Sequence, residues 1–255
     1  MQSPRIGAMD TACMAQPVPP TSCLVLWSDE HIIVVDKPPG TLSHPNPGPV
    51  SAPSAFQGTY REEARRFDGP AGPVWLIHRI DQDTSGCLLA ARDESTAMAL
   101  RAAFEAGKVG KSYHAVVSGP TRPHGDWKDA LGFARGRGKV RTTVVPGAPI
   151  NAELHFRALR QQPSLRLSFI EIELVTGRTH QIRVQAASRS HPVLGDDVYG
   201  DFALNRWAKK ELGLKRIFLH ASRLAFTHPV TGKSLRVTAP LPENLQAVLD
   251  KSGLA

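Results

Sequence analysis

Short apolar segments of strand length recur along this chain, and most are joined to the next by a short turn. Leu24–Trp27 and Ile32–Val35 flank a polar turn, so we predict a β-hairpin there. Ile217–Phe226 and Ser234–Thr238 predict a second hairpin around Pro229–Gly232. This spacing leaves little room for the crossover helices that parallel strands require.

Four further segments have the composition of strands, and three have the pattern of helices. The predicted strands are Val74–Ile77, Cys87–Ala91, Ser112–Val117 and Leu165–Val175. In the last strand the alternation changes phase at Phe169-Ile170, which predicts a β-bulge. The predicted helices span residues 94–106, 179–188 and 242–250. Strands outnumber helices, so we predict an α+β fold with a mixed, largely antiparallel sheet and flanking helices and loops.

The chain divides unevenly into two parts by composition. Residues 1–22 are rich in Pro, Ser, Ala and Met without periodicity, and we predict a flexible extension there. Residues 23–255 are expected to form one folded domain, with a Pro- and Gly-rich loop over residues 41–58.

Charge and cysteine content limit the classes of function. Thirty-one Lys and Arg against 23 Asp and Glu give a net charge of +8, which suits a polyanionic partner, although basic surfaces also keep proteins in solution. The three cysteines lack CxxC spacing, so neither a disulfide framework nor a zinc site is expected. No apolar run approaches the roughly 18 residues of a membrane span, and we expect a cytoplasmic protein without membrane association.

The segment from His78 to Gly86 concentrates reactive groups between two apolar strands. It contains two acids, an arginine and two hydroxyls, and loops between buried strands are where scaffolds often hold such groups. The alternative is a turn whose Asp and Thr side chains only bind backbone amides. The residues alone leave both interpretations open.

Two other segments hold candidate functional residues. If Thr179 caps the helix that follows, Arg183 faces away from the core stripe of Ile182 and Ala186, toward a site. Tyr113 lies near the start of a predicted strand, where tyrosines usually serve packing. Taken alone, each segment favours the ordinary structural interpretation.

In this order the segments resemble the RluA-type family of pseudouridine synthases, in its subgroup without an N-terminal S4 domain. The matching pieces are LWSDEHIIVVDKPPG, HRIDQDTSGCLLAAR, KSYHAVVSG, LVTGRTHQIRVQAASRSHPVLGDDVYG and FLHASRLAFTHPVTGK. The resemblance runs from about Leu24 to about Leu245. It implies that residues 23–255 are a pseudouridine synthase catalytic domain.

The resemblance also implies roles for particular residues. Asp81 would be the catalytic aspartate, Tyr113 the tyrosine that stacks on the target base, and Arg183 the partner of the aspartate. The residues expected to bind the flipped-out uridine are Arg79, His78, Thr84, Arg178 and His180. The candidates for RNA-backbone contacts, on a predicted basic loop over Gly136–Arg141 and beside it, are Arg135, Arg137, Lys139 and Arg141.

The expected activity is isomerisation of specific uridines in structured transfer or ribosomal RNA. The family uses no metal or organic cofactor, and we expect a monomer without an obligatory protein partner. Gln185 stands where the family usually has His, and Asp197 where Pro is common; both departures are expected to tune substrate choice.

Two other classes of function fit the chain less well. A non-catalytic RNA-binding or ribosome-assembly factor that keeps the fold is the main alternative, and it would have no physical reason to retain Asp81, Tyr113 and Arg183 together. A phosphate-binding hydrolase is disfavoured, because TGKS at residues 231–234 lacks the first P-loop glycine and precedes a predicted strand.

Overall fold

A computed structural model of the protein describes residues 21, 23–45, 52–136 and 139–255. Within these residues the strands are β1 Leu24–Ser28, β2 Ile32–Lys37, β3 Thr59–Arg61, β4 Arg66–Gly69, β5 Gly72–Leu76, β6 Ser85–Ala91, β7 Gly110–Ser118, β8 His124–Asp129, β9 Leu131–Gly136, β10 Lys139–Val144, β11 Ala152–Gln162, β12 Leu167–Leu174, β13 Leu219–Thr227 and β14 Ser234–Thr238. The helices are α1 Glu94–Glu105, α2 Gln181–Ser188, α3 Phe202–Trp207, which continues as a π-helical turn over Ala208–Leu212, and α4 Glu243–Ser252.

Twelve strands form one sheet in the order β3-β4-β5-β6-β13-β7-β12-β11-β8, with β1 and β2 beyond β6 and β14 beside β13. Strands β9 and β10 form a separate antiparallel pair. Within the described sheets only β6 and β13 pair in parallel. The predicted α+β fold with a mixed, largely antiparallel sheet is therefore confirmed.

The parallel contact between β6 and β13 is short and depends on a glycine. Ser85 lies opposite His220, and Gly86 lies opposite Ala221. Gly86 has a φ of +113°, and a Cβ atom there would collide with the carbonyl oxygen of Ala221. Only glycine allows the two backbones to approach this closely.

Helices α1 and α2 pack on the sheet, and α2 does so with the face that the sequence predicts. Asp93 caps α1 by accepting the amide of Thr96 at 2.8 Å, and Ala97 and Leu100 are buried. On α2, Ile182 and Ala186 join the core formed with β7, β11, β12 and β13. Helix α2 begins at Gln181 rather than at Thr179, because its N-cap His180 has a φ of 53°, outside the helical region.

The prediction of a basic loop over Gly136–Arg141 is wrong for its described residues, because β9 and β10 pair as antiparallel strands, which we call the basic hairpin. Lys139 pairs with Gly136 and Arg141 pairs with Ala134. The chain from Lys139 to Val144 alternates charged or polar residues with Val140, Thr142 and Val144, a strand pattern hidden by the flanking glycines. Arg137 lies outside the described residues.

The predicted bulge lies on the partner strand. Ala158 pairs with Ile170 and Arg160 with Phe169, so the extra residue is Leu159 on β11, while β12 stays regular against β7. Ile170 and Phe169 are both apolar because this part of the sheet is covered on both faces: each packs into a different core cluster.

Several elements were not predicted. Besides β9 and β10, these are strands β3, β4, β8 and β11, and helix α3 with its π-helical turn. Of the predicted N-terminal extension, residues 1–20 and 22 lie outside the described residues, whereas Thr21 is buried and its hydroxyl donates to the carbonyl of Ala55. Among the described residues no helix is long and apolar enough to cross a membrane.

Candidate active site

A cavity of about 280 Å³ opens where the loop after β5 meets β7 and the entry to α2. All eight residues that the sequence analysis assigned to catalysis or uridine binding line it: His78, Arg79, Asp81, Thr84, Tyr113, Arg178, His180 and Arg183. They lie as much as 105 positions apart in the sequence, from His78 to Arg183, and the fold brings them to one place.

Ser43 fixes the loop that carries Asp81 through two hydrogen bonds to its backbone. The Ser43 hydroxyl donates to the Ile80 carbonyl at 2.9 Å and accepts the Ile80 amide at 3.1 Å. Within the loop, the Thr84 amide donates to the Asp81 carbonyl at 3.1 Å, which closes a tight turn. The backbone of Asp81 is therefore fixed on both sides.

Lys37 provides a second support that the sequence analysis missed. Its side chain is fully buried, and Nζ donates to the carbonyls of Pro38, Thr41 and Gln82 at 3.0, 2.8 and 2.9 Å. Burial lowers the pKa of Lys37 to about 8. A lysine at the end of an apolar strand, next to Pro-Pro-Gly, was the available signal.

Arg183 joins two carboxylates at the floor of the cavity. Its Nη1 donates to Oδ2 of Asp81 at 3.1 Å, while Nε and Nη2 donate to the two oxygens of Asp196 at 2.7 and 2.9 Å. The Arg183 side chain is 12% exposed, that of Asp81 26% and that of Asp196 not at all. One guanidinium thus has its planar fork filled by Asp196 and a further donor left for Asp81.

Arg183 and Asp196 stabilise each other's charged forms. Burial alone would lower the pKa of Arg183, but the hydrogen bonds and charge of Asp196, followed by those of Asp81, raise it above its ordinary value. Burial likewise opposes ionisation of Asp196, yet Arg183 and the amides of Tyr199 and Val198 lower the pKa of its carboxyl. Asp196 was not predicted; the acidic pair Asp196-Asp197 near the cavity segment was the only local signal.

Tyr113 forms the apolar wall of the cavity. The side chain lies in the core beside Ile80 and Ile182 and is 8% exposed. Among the described residues its hydroxyl has no hydrogen-bond partner. Burial, and then the negative charge of Asp81, raise the pKa of Tyr113 above its ordinary value.

The two histidines of the cavity are oriented by other groups. His180 Nδ1 lies 3.0 Å from the Tyr199 hydroxyl, and its Nε2 lies 4.0 Å from Oδ2 of Asp81. His78 Nε2 accepts the Leu89 amide at 3.1 Å, and burial lowers the pKa of His78 to about 3. Both rings therefore face the cavity in fixed orientations.

The remaining predicted residues lie at the rim or on the wall. Arg79 is exposed, and its Nη2 lies 3.4 Å from the Thr179 hydroxyl. Arg178 Nε donates to the Asn151 carbonyl at 3.0 Å. The Thr84 hydroxyl is buried without a hydrogen-bond partner among the described residues.

Lys111, which the sequence analysis did not assign, also lines the cavity. It is buried, donates to the Thr176 carbonyl at 3.3 Å, and burial lowers its pKa. The sequence could have indicated Lys111 as a site residue, because it lies two positions before Tyr113 and both side chains are therefore on one face of β7.

The basic hairpin stands next to this cavity. Leu131 at the start of β9 packs with Val184 of α2, and Tyr199 and Val144 pack against the same cluster. Arg141 is exposed on β10. The hairpin is thus fixed at its base to the helix that carries Arg183.

The two family departures lie outside the cavity lining. Gln185 is fully buried, and its amide donates to the Trp127 carbonyl at 3.1 Å and to Asp129 at 2.6 Å, so it fastens α2 to β8. Asp197 is exposed. That Gln185 and Asp197 tune substrate choice stays a prediction, and an effect of Gln185 would act through the position of α2. In the described part of the chain, no group of three or more His, Cys, Asp or Glu residues is placed to hold a metal ion.

The chain is similar to known proteins in sequence and in fold. A family model described as RNA pseudouridylate synthase matches residues 31–188. Ribosomal large subunit pseudouridine synthase C of Vibrio vulnificus is 34% identical over 232 residues, which cover 89% of this chain and 68% of that protein. tRNA pseudouridine synthase C of Yersinia pestis is 32% identical over 238 residues, 90% of each chain. The structure of human RNA Pseudouridylate Synthase Domain Containing 4 has the same fold, with a TM-score of 0.69, 23% identity and coverage of 90% of this chain and 93% of that one.

Proposed function

Because this chain belongs to the RNA pseudouridylate synthase family, we propose that it converts specific uridines of transfer or ribosomal RNA to pseudouridine, with Asp81 as the catalytic carboxylate. The observation that carries the assignment of Asp81 is its contact with Arg183 in a cavity that Tyr113 also lines. Residues 23–255 are proposed to be the catalytic domain.

The reaction is an isomerisation that needs no second substrate. The bond between N1 of uracil and C1′ of ribose breaks, the base rotates, and C5 bonds to C1′. C5 then loses its proton and N1 gains one, so atoms and electrons balance without an oxidant or reductant. The protein must therefore hold the base in place, stabilise charge and move a proton.

Asp81 can act at either the sugar or the ring. Arg183 contacts Oδ2 of Asp81 and stabilises its negative charge, and the fixed backbone of Ile80 sets its direction. A carboxylate held this way can attack C1′ or the ring, or remove a proton from the sugar. All three routes use the same carboxylate.

Tyr113 is proposed to stack on the target base and to assist proton movement at C5. Since the pKa of its hydroxyl is raised, the phenol remains protonated at neutral pH. Its ring then supplies apolar surface for stacking. A proton relay through its hydroxyl has to begin and end with the neutral phenol. Base stacking of this kind returns ~1–3 kcal/mol.

RNA binding is proposed to involve the rim and the basic hairpin. Extracting the uridine from its stack costs about a few kcal/mol, so a loop or a weakly paired site is favoured as target. Arg79, His78, Thr84, Arg178 and His180 are proposed to hold the extracted nucleotide, and the hairpin residues to contact phosphates. The proposed carriers of the phosphate contacts are Arg135, Arg137, Lys139 and Arg141.

The test uses total RNA from cells that lack this gene. The purified protein is added, and pseudouridines are mapped in the transfer and ribosomal RNA pools. We expect new pseudouridine at defined positions. Asp81→Asn should form none while retaining RNA affinity, and Asp83→Asn, an exposed acid in the same loop, should act like the wild type.

Three results would count against the proposal. If the wild-type protein modifies neither pool, the substrate assignment fails. If it binds RNA tightly but never modifies it, the chain is a non-catalytic RNA-binding factor. If folded Asp81→Asn retains turnover, Asp81 is not the catalytic carboxylate.

A further inference from the structure

A second cavity, of about 350 Å³, adjoins the catalytic one. It lies between the β3–β4 hairpin and the loop after β5, and it shares His78 and Arg79 with the catalytic cavity. Its other lining residues are His44, Tyr60, Glu62, Arg65, Leu76 and Ile77. A volume above roughly 300 Å³ is within the range of small-ligand sites.

Three aromatic rings lead from the core to this cavity. Phe67 is fully buried, and the Tyr60 ring lies 4.8 Å from it between centroids, at 50°. The His44 ring lies nearly parallel to that of Tyr60, with 5.3 Å between centroids and 17° between planes. Because the inner ring is fixed in the core, the outer two present a rigid aromatic surface.

His44 links this surface to the rim of the catalytic cavity. Its Nδ1 lies 3.0 Å from the Pro45 carbonyl, so Nδ1 carries the hydrogen and donates. Its Nε2 is then an acceptor, and it lies 3.4 Å from Nη1 of Arg79. The aromatic surface and the shared arginine thus form one continuous wall.

Arg65 adds a cation that no structural contact uses. Its φ of 50° is unfavourable for a residue with a Cβ atom, and its carbonyl is held by the Leu76 amide at 2.8 Å. The side chain is exposed, and within the described residues its guanidinium has no hydrogen bond. Glycine would fit this backbone more easily, so the arginine is not there to stabilise the turn.

We propose that this second cavity binds an unstacked nucleotide next to the target uridine, with its base against His44 and Tyr60 and its phosphate at Arg65. The inference rests on the proposed function. Aromatic rings beside cations are how proteins hold single-stranded RNA, since every base has a stacking face and every phosphate a charge. Because Arg79 and His78 form the boundary of both cavities, consecutive nucleotides can occupy them.

The experiment measures RNA affinity with two variants and matched controls. The probe is the stem-loop that Asp81→Asn retains from total RNA, so it does not depend on turnover. His44→Ala removes the outer ring, and Arg65→Gly removes the cation without straining the backbone. The controls are Arg166→Gly, an exposed arginine with a φ of 52° outside both cavities, and Arg61→Gln, which is next to Tyr60 on β3 but bonds Asp68.

The probe is then made abasic at each position of its loop in turn, so that the target uridine need not be known. We expect His44→Ala to weaken binding about tenfold, and one abasic position to do the same. Combining the two should cost little more than either alone, because both remove the same contact. Arg65→Gly should weaken binding while both control variants do not.

Other results overturn the proposal. Additive losses from His44→Ala and every abasic position would show that the cavity holds no base. Equal losses in the Arg65→Gly and Arg166→Gly proteins would show that Arg65 holds no phosphate. The proposal is also overturned if Asp81→Asn retains no RNA. Absence of turnover by the wild type, with the coupling intact, would overturn the proposed function and leave the subsite supported.

Discussion

Replacing Arg183 by lysine tests the central contact most directly. The guanidinium makes three charge-assisted hydrogen bonds, two with Asp196 and one with Asp81. A lysine ammonium keeps the charge but is a point donor, and it cannot fill the two-oxygen face of Asp196 while also reaching Asp81. Arg183→Lys should therefore satisfy one carboxylate and leave the other under-bonded.

The expected magnitude follows from the hydrogen bonds that lysine cannot make. Removing one partner of a buried ion pair costs roughly 3–5 kcal/mol, and retention of the positive charge places Arg183→Lys near the lower end, about 3 kcal/mol. For a chain of this length, that corresponds to a decrease in Tm of about 6–12 °C. A small displacement of Asp81 should decrease the single-turnover rate by about 100-fold.

The assay is single-turnover pseudouridine formation, with RNA affinity and Tm measured on the same preparations. Arg189→Lys is the matched control, because Arg189 forms the same kind of fork with Asp129, at 2.8 and 3.2 Å, outside the catalytic cavity. It should lose stability but not rate.

Two outcomes would refute this reasoning. The first is an Arg183→Lys rate within about threefold of the wild type, which is well below the 100-fold loss expected from misplacement. The second is equal loss of rate in Arg183→Lys and Arg189→Lys, which would mean that stability, and not the position of Asp81, controls turnover.

Three other perturbations have defined outcomes. Alanine at Arg135, Arg137, Lys139 and Arg141 should flatten the log–log dependence of RNA affinity on salt by roughly 0.7–0.9 for each phosphate that the protein no longer neutralises. An unchanged slope would exclude these four residues from the interface. Burial lowers the pKa of His220 to about 4. The unfolded chain, with a His pKa of about 6.5, therefore takes up the proton first, so full stability above pH 6.5 should decrease by about 3 kcal/mol toward pH 4. Urea unfolding should show a smaller decrease in His220→Gln, and an equal one would contradict the assignment. Gly86→Ala should lower Tm more than Gly72→Ala, since both glycines have positive φ but only Gly86 faces a backbone carbonyl; equal losses would mean that φ strain alone matters.

Local patterns were enough to predict the elements that carry the site. The hairpin of β1 and β2, the extent of α1 and the inward face of α2 each depend on residues close in sequence. The same holds for the three segments that supply Asp81, Tyr113 and Arg183. Their gathering in one cavity came from the family resemblance, because spacing alone does not fix long-range contacts.

The features that the sequence analysis missed or misplaced mostly depend on residues far away in the sequence. Asp196 has a role in the site because Arg183 donates hydrogen bonds to it. Lys37 has one because its ammonium donates to the Gln82 carbonyl. The bulge was assigned to β12 because two adjacent apolar residues there serve cores on opposite faces of the sheet. Strand β11 was missed although Ala152, Leu154 and Phe156 alternate in its first half.

The two-residue contact between β6 and β13 joins an N-terminal segment of the chain to a C-terminal one. Strands β1–β6 and α1 precede Gly107, and all strands from β7 onward follow it. Asp81 belongs to the first segment, while Tyr113 and Arg183 belong to the second. A chain cut at Gly107, which adopts a φ of +68° with no atom within 4 Å of a Cβ placed there, is thus a natural fragment-complementation pair. Coexpressed, the two pieces should form pseudouridine together and neither should alone, which makes the modification itself a reporter of their association.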